Sequence, residues 1–151
     1  MIYYCYMNKE ATALLHKILK DNAYSVTKAR SLVFELLWDQ EPQSMHDLEE
    51  RANKQIDRVS IYRTISLFEK LGLVQRVTIG WKYKLELTDV FTEHHHHISC
   101  LRCGKVMSIK EDSTIENMID VFAKKYKFTA ERHQFEIQGY CESCDTLKHT
   151  A

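Results

Sequence analysis

Four of the five cysteines in this sequence form two pairs, Cys100-Leu-Arg-Cys103 and Cys141-Glu-Ser-Cys144, with Cys5 left over. Each Cys-x-x-Cys lets two thiolates converge on one ion, and two such pairs complete a tetrahedral four-sulfur zinc site. The 37 residues between the pairs exceed the common zinc-ribbon interval, yet they read as strand, helix and strand rather than loop. The alternatives are disulfides, which a cytosolic chain disfavours, and a thioredoxin-type dithiol, which needs only one pair. A closed four-thiolate site has no open position, so its expected role is stability rather than chemistry.

Immediately before the first pair stands Glu93-His94-His95-His96-His97-Ile98-Ser99. A purification tag is the plain alternative for a histidine run, but four histidines inside the chain, leading into a strand, are poorly explained that way. In an extended segment, successive side chains point to opposite faces. His94 and His96 then share one side and His95 and His97 the other, so one strand can begin two metal sites. Glu116, beside an apolar helical stripe, and His133, at the start of a later strand, are the further candidates. Each taken alone reads as a surface carboxylate or an ordinary half-buried histidine. Together with His94 and His96 they make three imidazoles and a carboxylate, a donor set suited to Zn(II), Fe(II) or Mn(II).

The elements that must position these groups follow from periodicity. Ala11, Leu14, Leu15, Ile18 and Leu19 have the spacing of a helix burying one face, which predicts a helix from Asn8 to Lys20. Ala29, Leu32, Val33, Leu36 and Leu37 repeat it, with Thr27 as N-cap and Glu41-Pro42 as the stop. Ser44 and Asp47 form a short capping arrangement before a third helix, with Met45, Leu48 and Ala52 as its stripe, ending near Lys54. Ile61, Ile65, Phe68 and Leu71 define a fourth, closed by Gly72. Its other face carries Arg58, Ser60, Tyr62, Arg63 and Ser66.

From Val74 to Leu87 the pattern alternates as a hairpin, with Trp81, Tyr83, Leu85 and Leu87 on one side and Lys82 and Lys84 on the other. Helices joined by a short turn and followed by such a hairpin make a winged helix-turn-helix, whose second helix of the pair enters the major groove. A solvated surface is the plain alternative for the Arg58, Tyr62, Arg63 face. Its place before a basic hairpin favours arginines on phosphate and a tyrosine ring against a thymine methyl. In the second half, Lys105 to Ile109 and Arg132 to Gln138 read as strands. Between them Ser113 is expected to cap a helix that buries Ile115, Met118, Ile119, Phe122, Ala123 and Tyr126.

Composition agrees with a globular, α+β chain. The 151 residues are 44% hydrophobic with four Gly and one Pro, which excludes disordered, collagen-like and repeat classes. No apolar run approaches the ~18 residues of a membrane span, and no signal-peptide pattern opens the chain; a soluble cytoplasmic protein is expected. The net charge is zero, but residues 1–84 hold 13 Lys+Arg against 10 Asp+Glu and residues 85–151 hold 8 against 11. That is the sign expected if the first part faces a polyanion and the second binds cations.

From about Asn8 to Cys144 the chain resembles the ferric uptake regulator family of metal-dependent bacterial repressors. The resemblance is carried by Thr27-Lys-Ala-Arg30, Val59-Ser-Ile-Tyr-Arg63 with Leu71-Gly-Leu73, Glu86-Leu87-Thr88, and His94-His-His-His-Ile-Ser-Cys-Leu-Arg-Cys-Gly104 with the second cysteine pair. It implies a winged-helix DNA-binding domain over 1–87, a hinge over 88–93 and a small α/β dimerisation domain over 94–151 with a four-cysteine zinc site. It implies a homodimer on a palindromic, AT-rich operator in double-stranded DNA, with Tyr62 reading bases and Arg58 and Arg63 on phosphate or base edges. Ser60 lies on the same face, and Lys82 or Lys84 would reach from the wing. By position, His94, His96, Glu116 and His133 match the family's site within the dimerisation domain, His96 standing where many members have Asp. An interdomain regulatory site would draw on Glu86, His95 and His97. The N-terminal histidine that often completes it is replaced by Pro42 or Gln43, and Ser108 stands where a ligand carboxylate is common, so that site is incomplete unless His46 or water substitutes.

The implied cofactors are structural Zn(II) and regulatory Fe(II), or Mn(II) or Zn(II), and the implied function is repression controlling metal homeostasis, iron first. A peroxide sensor of the same family, a zinc- or manganese-sensing member, and a constitutive DNA-binding protein with structural zinc only are the alternatives. A zinc hydrolase is disfavoured because no motif such as His-Glu-x-x-His places a general base. No enzymatic activity, membrane association or small-molecule substrate is expected.

Overall fold

The computed structural model describes residues 2–79, 81–110, 112–131 and 133–145, with side chains from residue 9 onward. The chain divides into two compact units, one of Met1–Thr78 with Tyr83–Thr92, the other of Glu93–Ala151 with the hairpin tip Ile79–Lys82.

In the first unit, α1 (Ile2–Asp21), α2 (Lys28–Leu37), α3 (Met45–Ala52) and α4 (Arg58–Lys70) precede the hairpin β1 (Val74–Ile79) and β2 (Lys82–Leu87). Helix α1 begins six residues before the expected Asn8, and the Tyr- and Cys-containing start lies in its first turns. Its buried stripe is Ala11, Leu15 and Leu19, while Leu14 is exposed. Thr27 caps α2 by accepting the Arg30 N–H at 3.3 Å. Phe34, absent from the expected stripe, is buried in the core and meets the edge of Phe91 with ring centroids 4.8 Å apart. The Ser44 hydroxyl accepts from the Asp47 N–H at 3.2 Å and Asp47 accepts from the Ser44 N–H at 2.8 Å, a closed capping box that starts α3. Asp57 caps α4 from the Ser60 N–H at 2.9 Å.

Helix α4 ends in a Schellman turn: the Leu73 N–H reaches the Phe68 carbonyl at 2.8 Å and the Gly72 N–H the Glu69 carbonyl at 3.0 Å. Gly72 sits at φ +68°, a conformation that a Cβ disfavours. The chain therefore reverses directly into β1. Leu15, Leu19, Val33, Phe34, Leu48, Ile61, Phe68, Leu73 and Leu85 join α1 to α4 and the hairpin in one core. Gln43 exchanges both backbone hydrogen bonds with Leu85, giving the hairpin a third, single-residue edge. The expected alternation fails along β2. Trp81 and Tyr83 are exposed, whereas Glu86 is buried beside Leu85 and Leu87. The Gln75 side-chain amide satisfies Glu86 at 2.8 Å.

The second unit is a three-stranded sheet in the order β4-β3-β5, from β3 (His95–Cys100), β4 (Val106–Lys110) and β5 (Glu136–Gly139), with α5 (Ser113–Lys125) and the single turn α6 (Glu142–Asp145). Strand β3 is central, antiparallel to β4 and parallel to β5. Three expectations are corrected. Asp112, not Ser113, caps α5, by accepting the Thr114 N–H at 2.7 Å. Strand β5 begins at Glu136 rather than Arg132, which lies outside the described residues, because parallel pairing with β3 starts only at His97↔Glu136. The α5 stripe is not buried among the described residues: Met118, Phe122 and Tyr126 are exposed, because one small sheet does not cover them. No helix among the described residues is long and apolar enough to cross a membrane.

Candidate metal centres and nucleic-acid interface

Strand alternation places the His94 and His96 rings on one side, 4.9 Å apart, and the His95 and His97 rings on the other, also 4.9 Å apart. Two other elements converge on the first pair. Glu116 comes from the first turn of α5, and His133 from the segment leading into β5. Glu116 Oε1 lies 3.1 Å from His96 Nε2, 3.2 Å from His133 Nε2 and 3.6 Å from His94 Nε2. His94 Nε2 and His133 Nε2 are 2.9 Å apart. His96 is only 1% exposed, and the others are half-buried.

The donor set fits a divalent ion. Bonds of about 2.0–2.1 Å in tetrahedral array separate donors by about 3.4 Å, and the four observed separations bracket that value. Neutral imidazoles and one carboxylate suit Zn(II), Fe(II) and Mn(II) alike, so the ligands do not choose among them.

The four thiols gather where β3 ends. Cys100 closes the strand, and Cys103 follows in a turn completed by Gly104 at φ +70°. Cys141 and Cys144 flank the start and body of α6. Their sulfurs lie within 4.8 Å of one another, and Cys103 Sγ to Cys141 Sγ is 3.8 Å. A disulfide would require about 2.05 Å. Zinc–sulfur bonds of about 2.3 Å in tetrahedral array require about 3.8 Å between sulfurs. All four are free thiols. The Cys103 and Cys141 backbone N–H groups pull the Cys100 thiol down to about 6, the Cys141 N–H approaching at 3.4 Å. Burial, followed by hydrogen bonding to the neighbouring cysteines, pushes Cys144 up to about 12. A bound cation would supply the charge that offsets the cost of ionising the buried Cys144 thiol. Arg102 braces it by donating to the Cys144 carbonyl at 3.1 Å.

Glu86 belongs to the first unit and His95 and His97 to the second. Glu86 and His97 are buried, and the His95 Nδ1–H donates to the Glu93 carbonyl at 2.8 Å. Gln43 is committed within the first unit, its amide donating to the Leu36 carbonyl at 2.8 Å and its oxygen accepting from Arg51. His46 faces Glu50 at 3.6 Å on the exposed side of α3.

On α4 the Arg58 guanidinium donates to Tyr62 Oη at 3.1 Å, sits over the Tyr62 ring at 5.3 Å and pairs with Glu49 at 3.0 Å. The Tyr62 hydroxyl, with the Glu49 carboxylate, raises its already high pKa. Ser60 donates its hydroxyl to Asp57 at 2.6 Å and so serves the helix cap. Tyr62 and Arg63 are exposed, as is Lys82, while Lys84 is half-buried. Sequence reading missed the link from α4 to the hairpin: Arg76 is held by the Glu69 carboxylate, with one contact at 3.1 Å, and lies over the Tyr83 ring at 4.4 Å. Nothing in the local spacing signals it, because Glu69 and Arg76 belong to different elements.

A winged helix with an arginine- and tyrosine-bearing outer helix, joined to a unit with a four-thiol cluster and a three-imidazole, one-carboxylate cluster, defines a metal-dependent DNA-binding transcription regulator. The chain belongs to the ferric uptake regulator family, whose profile matches residues 21–138. It is 33% identical over 142 residues to the ferric uptake regulation protein of Vibrio cholerae, covering 88% of this chain and 91% of that one. The solved Vibrio cholerae regulator, whose DNA-binding domains are described as structurally rearranged, superposes with a TM-score of 0.71 at 27% identity, over 83% of this chain and 98% of that one. The Helicobacter pylori regulator, described as having three functional metal-binding sites, shares the fold with a TM-score of 0.78 at 24% identity, over 91% and 93% of the two chains.

Proposed function

We propose that this chain is a metal-responsive repressor of metal homeostasis genes, with Fe(II) as the regulatory ion and structural Zn(II) in Cys100, Cys103, Cys141 and Cys144. The observation that carries it is the convergence of His94, His96, Glu116 and His133 from three elements on one point. Glu86, His95 and His97 are the ligand set proposed for a second regulatory site. The engagement of Gln43 by Leu36 and Arg51 supports assigning the principal response to the His96 cluster instead.

The winged helix, 1–87, presents Arg58, Ser60, Tyr62, Arg63, Lys82 and Lys84 to an AT-rich palindrome, and 88–93 is the hinge to the dimerisation domain, 94–151. A homodimer is supported by the uncovered apolar side chains of α5 and by β5 standing at a sheet edge. The bound ion supplies positive charge that holds three imidazoles and a carboxylate together. His94 and His96 then tie β3 to α5 through Glu116 and to the β5 approach through His133, favouring one arrangement of the unit. Metal and DNA binding to that same arrangement favour each other. The protein acts in the cytoplasm, where its DNA is.

The test is metal content per chain after mild chelation, followed by fluorescence anisotropy of an AT-rich palindromic duplex with and without Fe(II), Mn(II) or Zn(II). One chelator-resistant zinc with a second, labile metal needed for tight binding is the expected result, and the effective ion separates the iron reading from zinc, manganese or peroxide sensing. DNA affinity indifferent to labile metal would leave a constitutive binder with structural zinc.

A further inference from the structure

We propose that Glu136 completes, with His95 and His97, a divalent-metal site on the face of the three-stranded sheet opposite α5. The proposal rests on the second regulatory site named above and deepens it, by supplying a carboxylate from the same unit as its two histidines.

The register of the sheet brings the three residues together. His96 points to α5, where it meets Glu116 at 3.1 Å, so His95 and His97 lie on the opposite face. Their rings are 4.9 Å apart. On that face His97 has one paired neighbour on each side, Ser108 on β4 and Glu136 on β5. Paired residues of adjacent strands, about 4.8 Å apart, send their side chains to the same face. Ser108 brings a neutral hydroxyl. Glu136 is the one carboxylate that the described strands place on this face.

These groups are set up as ligands. The His95 Nδ1–H donates to the Glu93 carbonyl at 2.8 Å, which holds that tautomer and leaves Nε2 with the lone pair a metal needs. His97 is buried and Glu136 half-buried. Among the described residues, Glu136 takes its one hydrogen bond from the Gln138 amide at a long 3.4 Å, so its carboxylate is not committed to a cation. Lys110, paired with His95, is exposed at the far edge of the sheet. Ser99, next along β3 on this face, has a buried hydroxyl with no hydrogen-bond partner among the described residues. A water carried by the ion would satisfy it. Two imidazoles and a carboxylate form a donor set that leaves open positions on a metal. Three donors from one unit hold an ion less tightly than the four of the His96 cluster, so this site fills second.

The test uses the full chain with its structural zinc in place, freed of labile metal by mild chelation and titrated with Mn(II). Electron paramagnetic resonance counts the free ion, so binding is read without DNA. Wild type is expected to bind a first Mn(II) tightly and a second more weakly. His96→Leu should abolish the tighter step and leave the weaker one. In that background Glu136→Gln should weaken the remaining step by about tenfold or more, with an unchanged melting temperature of the metal-free protein. Adding Ser108→Glu to Glu136→Gln returns a carboxylate to the other flank of His97 and should restore binding. Asp120→Asn removes a negative charge from the exposed side of α5 and should leave the step unchanged, since salt screens solvent-exposed charge. Should Glu136→Gln not fold, Glu136→Thr keeps a strand-forming residue at the sheet edge and gives the same reading.

A weaker step that keeps its affinity in Glu136→Gln would overturn the proposal. An equal loss in Asp120→Asn would overturn it as well, because the effect would then be one of net charge. A His96→Leu protein that binds no Mn(II) would overturn the second regulatory site and the proposal with it, while the His96 cluster and the repressor reading stood.

Discussion

Replacing His96 with leucine separates metal binding from folding. The His96 ring is almost wholly buried, with its Nε2 3.1 Å from Glu116 and its ring 5.5 Å from that of Phe135. In the metal-free protein, His96→Leu removes one charge-assisted hydrogen bond, a loss of about 1.5–3 kcal/mol. Burying a leucine side chain there returns about 1.5–3 kcal/mol. His133 still lies 3.2 Å from the carboxylate, so Glu116 keeps a partner. The apo variant should therefore unfold within a few degrees of apo wild type.

Metal changes the comparison. An ion present at one hundred times its dissociation constant stabilises the wild type by about 2.7 kcal/mol. At about 2–4 °C per kcal/mol for a chain of this size, that is an upward shift of about 5–10 °C. The variant, with three donors left and an apolar group at the fourth, should show almost no shift at the same concentration. Scanning calorimetry with and without Mn(II), which is redox-stable in air, measures both quantities on the same preparations. A His96→Leu protein that keeps the full metal-induced shift would refute the assignment. A variant that fails to fold without metal would refute the exchange of energies argued above.

Asp47 is held below the usual carboxylate range chiefly by the Ser44 hydroxyl, so its contribution is present above the unfolded value near 3.9 and fades as pH falls through the lower folded value. Asp47→Asn should thus be less stable than wild type at pH 7, with the gap closing at the acid end of a pH series of chemical denaturation. Ser44→Ala should cost about 1 kcal/mol by the same assay. Gly72→Ala should cost about 1–2 kcal/mol through backbone strain alone, because φ is +68° while nothing lies within 4 Å of the added methyl; a neutral result in thermal unfolding would mean that the turn had rearranged. Glu49→Gln should release Arg58, steepening the salt dependence of duplex binding without changing the thermal midpoint. Weaker binding in that variant would show that Glu49 positions Arg58 and Tyr62 instead.

Much of this protein is written in local spacing. Leu15 and Leu19, Val33 and Leu37, and Ile61, Ile65 and Phe68 recur at helical intervals and are buried on the inner faces of α1, α2 and α4. Thr27, Ser44 and Gly72 mark helix ends because an oxygen at the N-cap and a left-handed glycine past the C-terminus solve problems posed within four residues. The two Cys-x-x-Cys pairs and the alternation of four histidines are likewise local. They determine which side chains can share an ion or a strand face.

What lay beyond that reach depended on contacts distant in sequence. Phe34 is buried because Phe91 meets it. Strand β5 is short because its parallel register with β3 begins only at Glu136. Periodicity marked the α5 stripe as apolar but could not say what covers it, and none of the described residues buries it. Glu116 and His133 are ordinary by their neighbours in sequence; the packing of a helix and a strand approach against β3 brings Glu116 to within 3.6 Å of His94 and His96, and His133 to within 3.2 Å of His94 and Glu116. Spacing along the chain fixes the faces of each element. Only the pairing of elements fixes which faces meet, because that choice is made by contacts whose partners lie tens of residues apart.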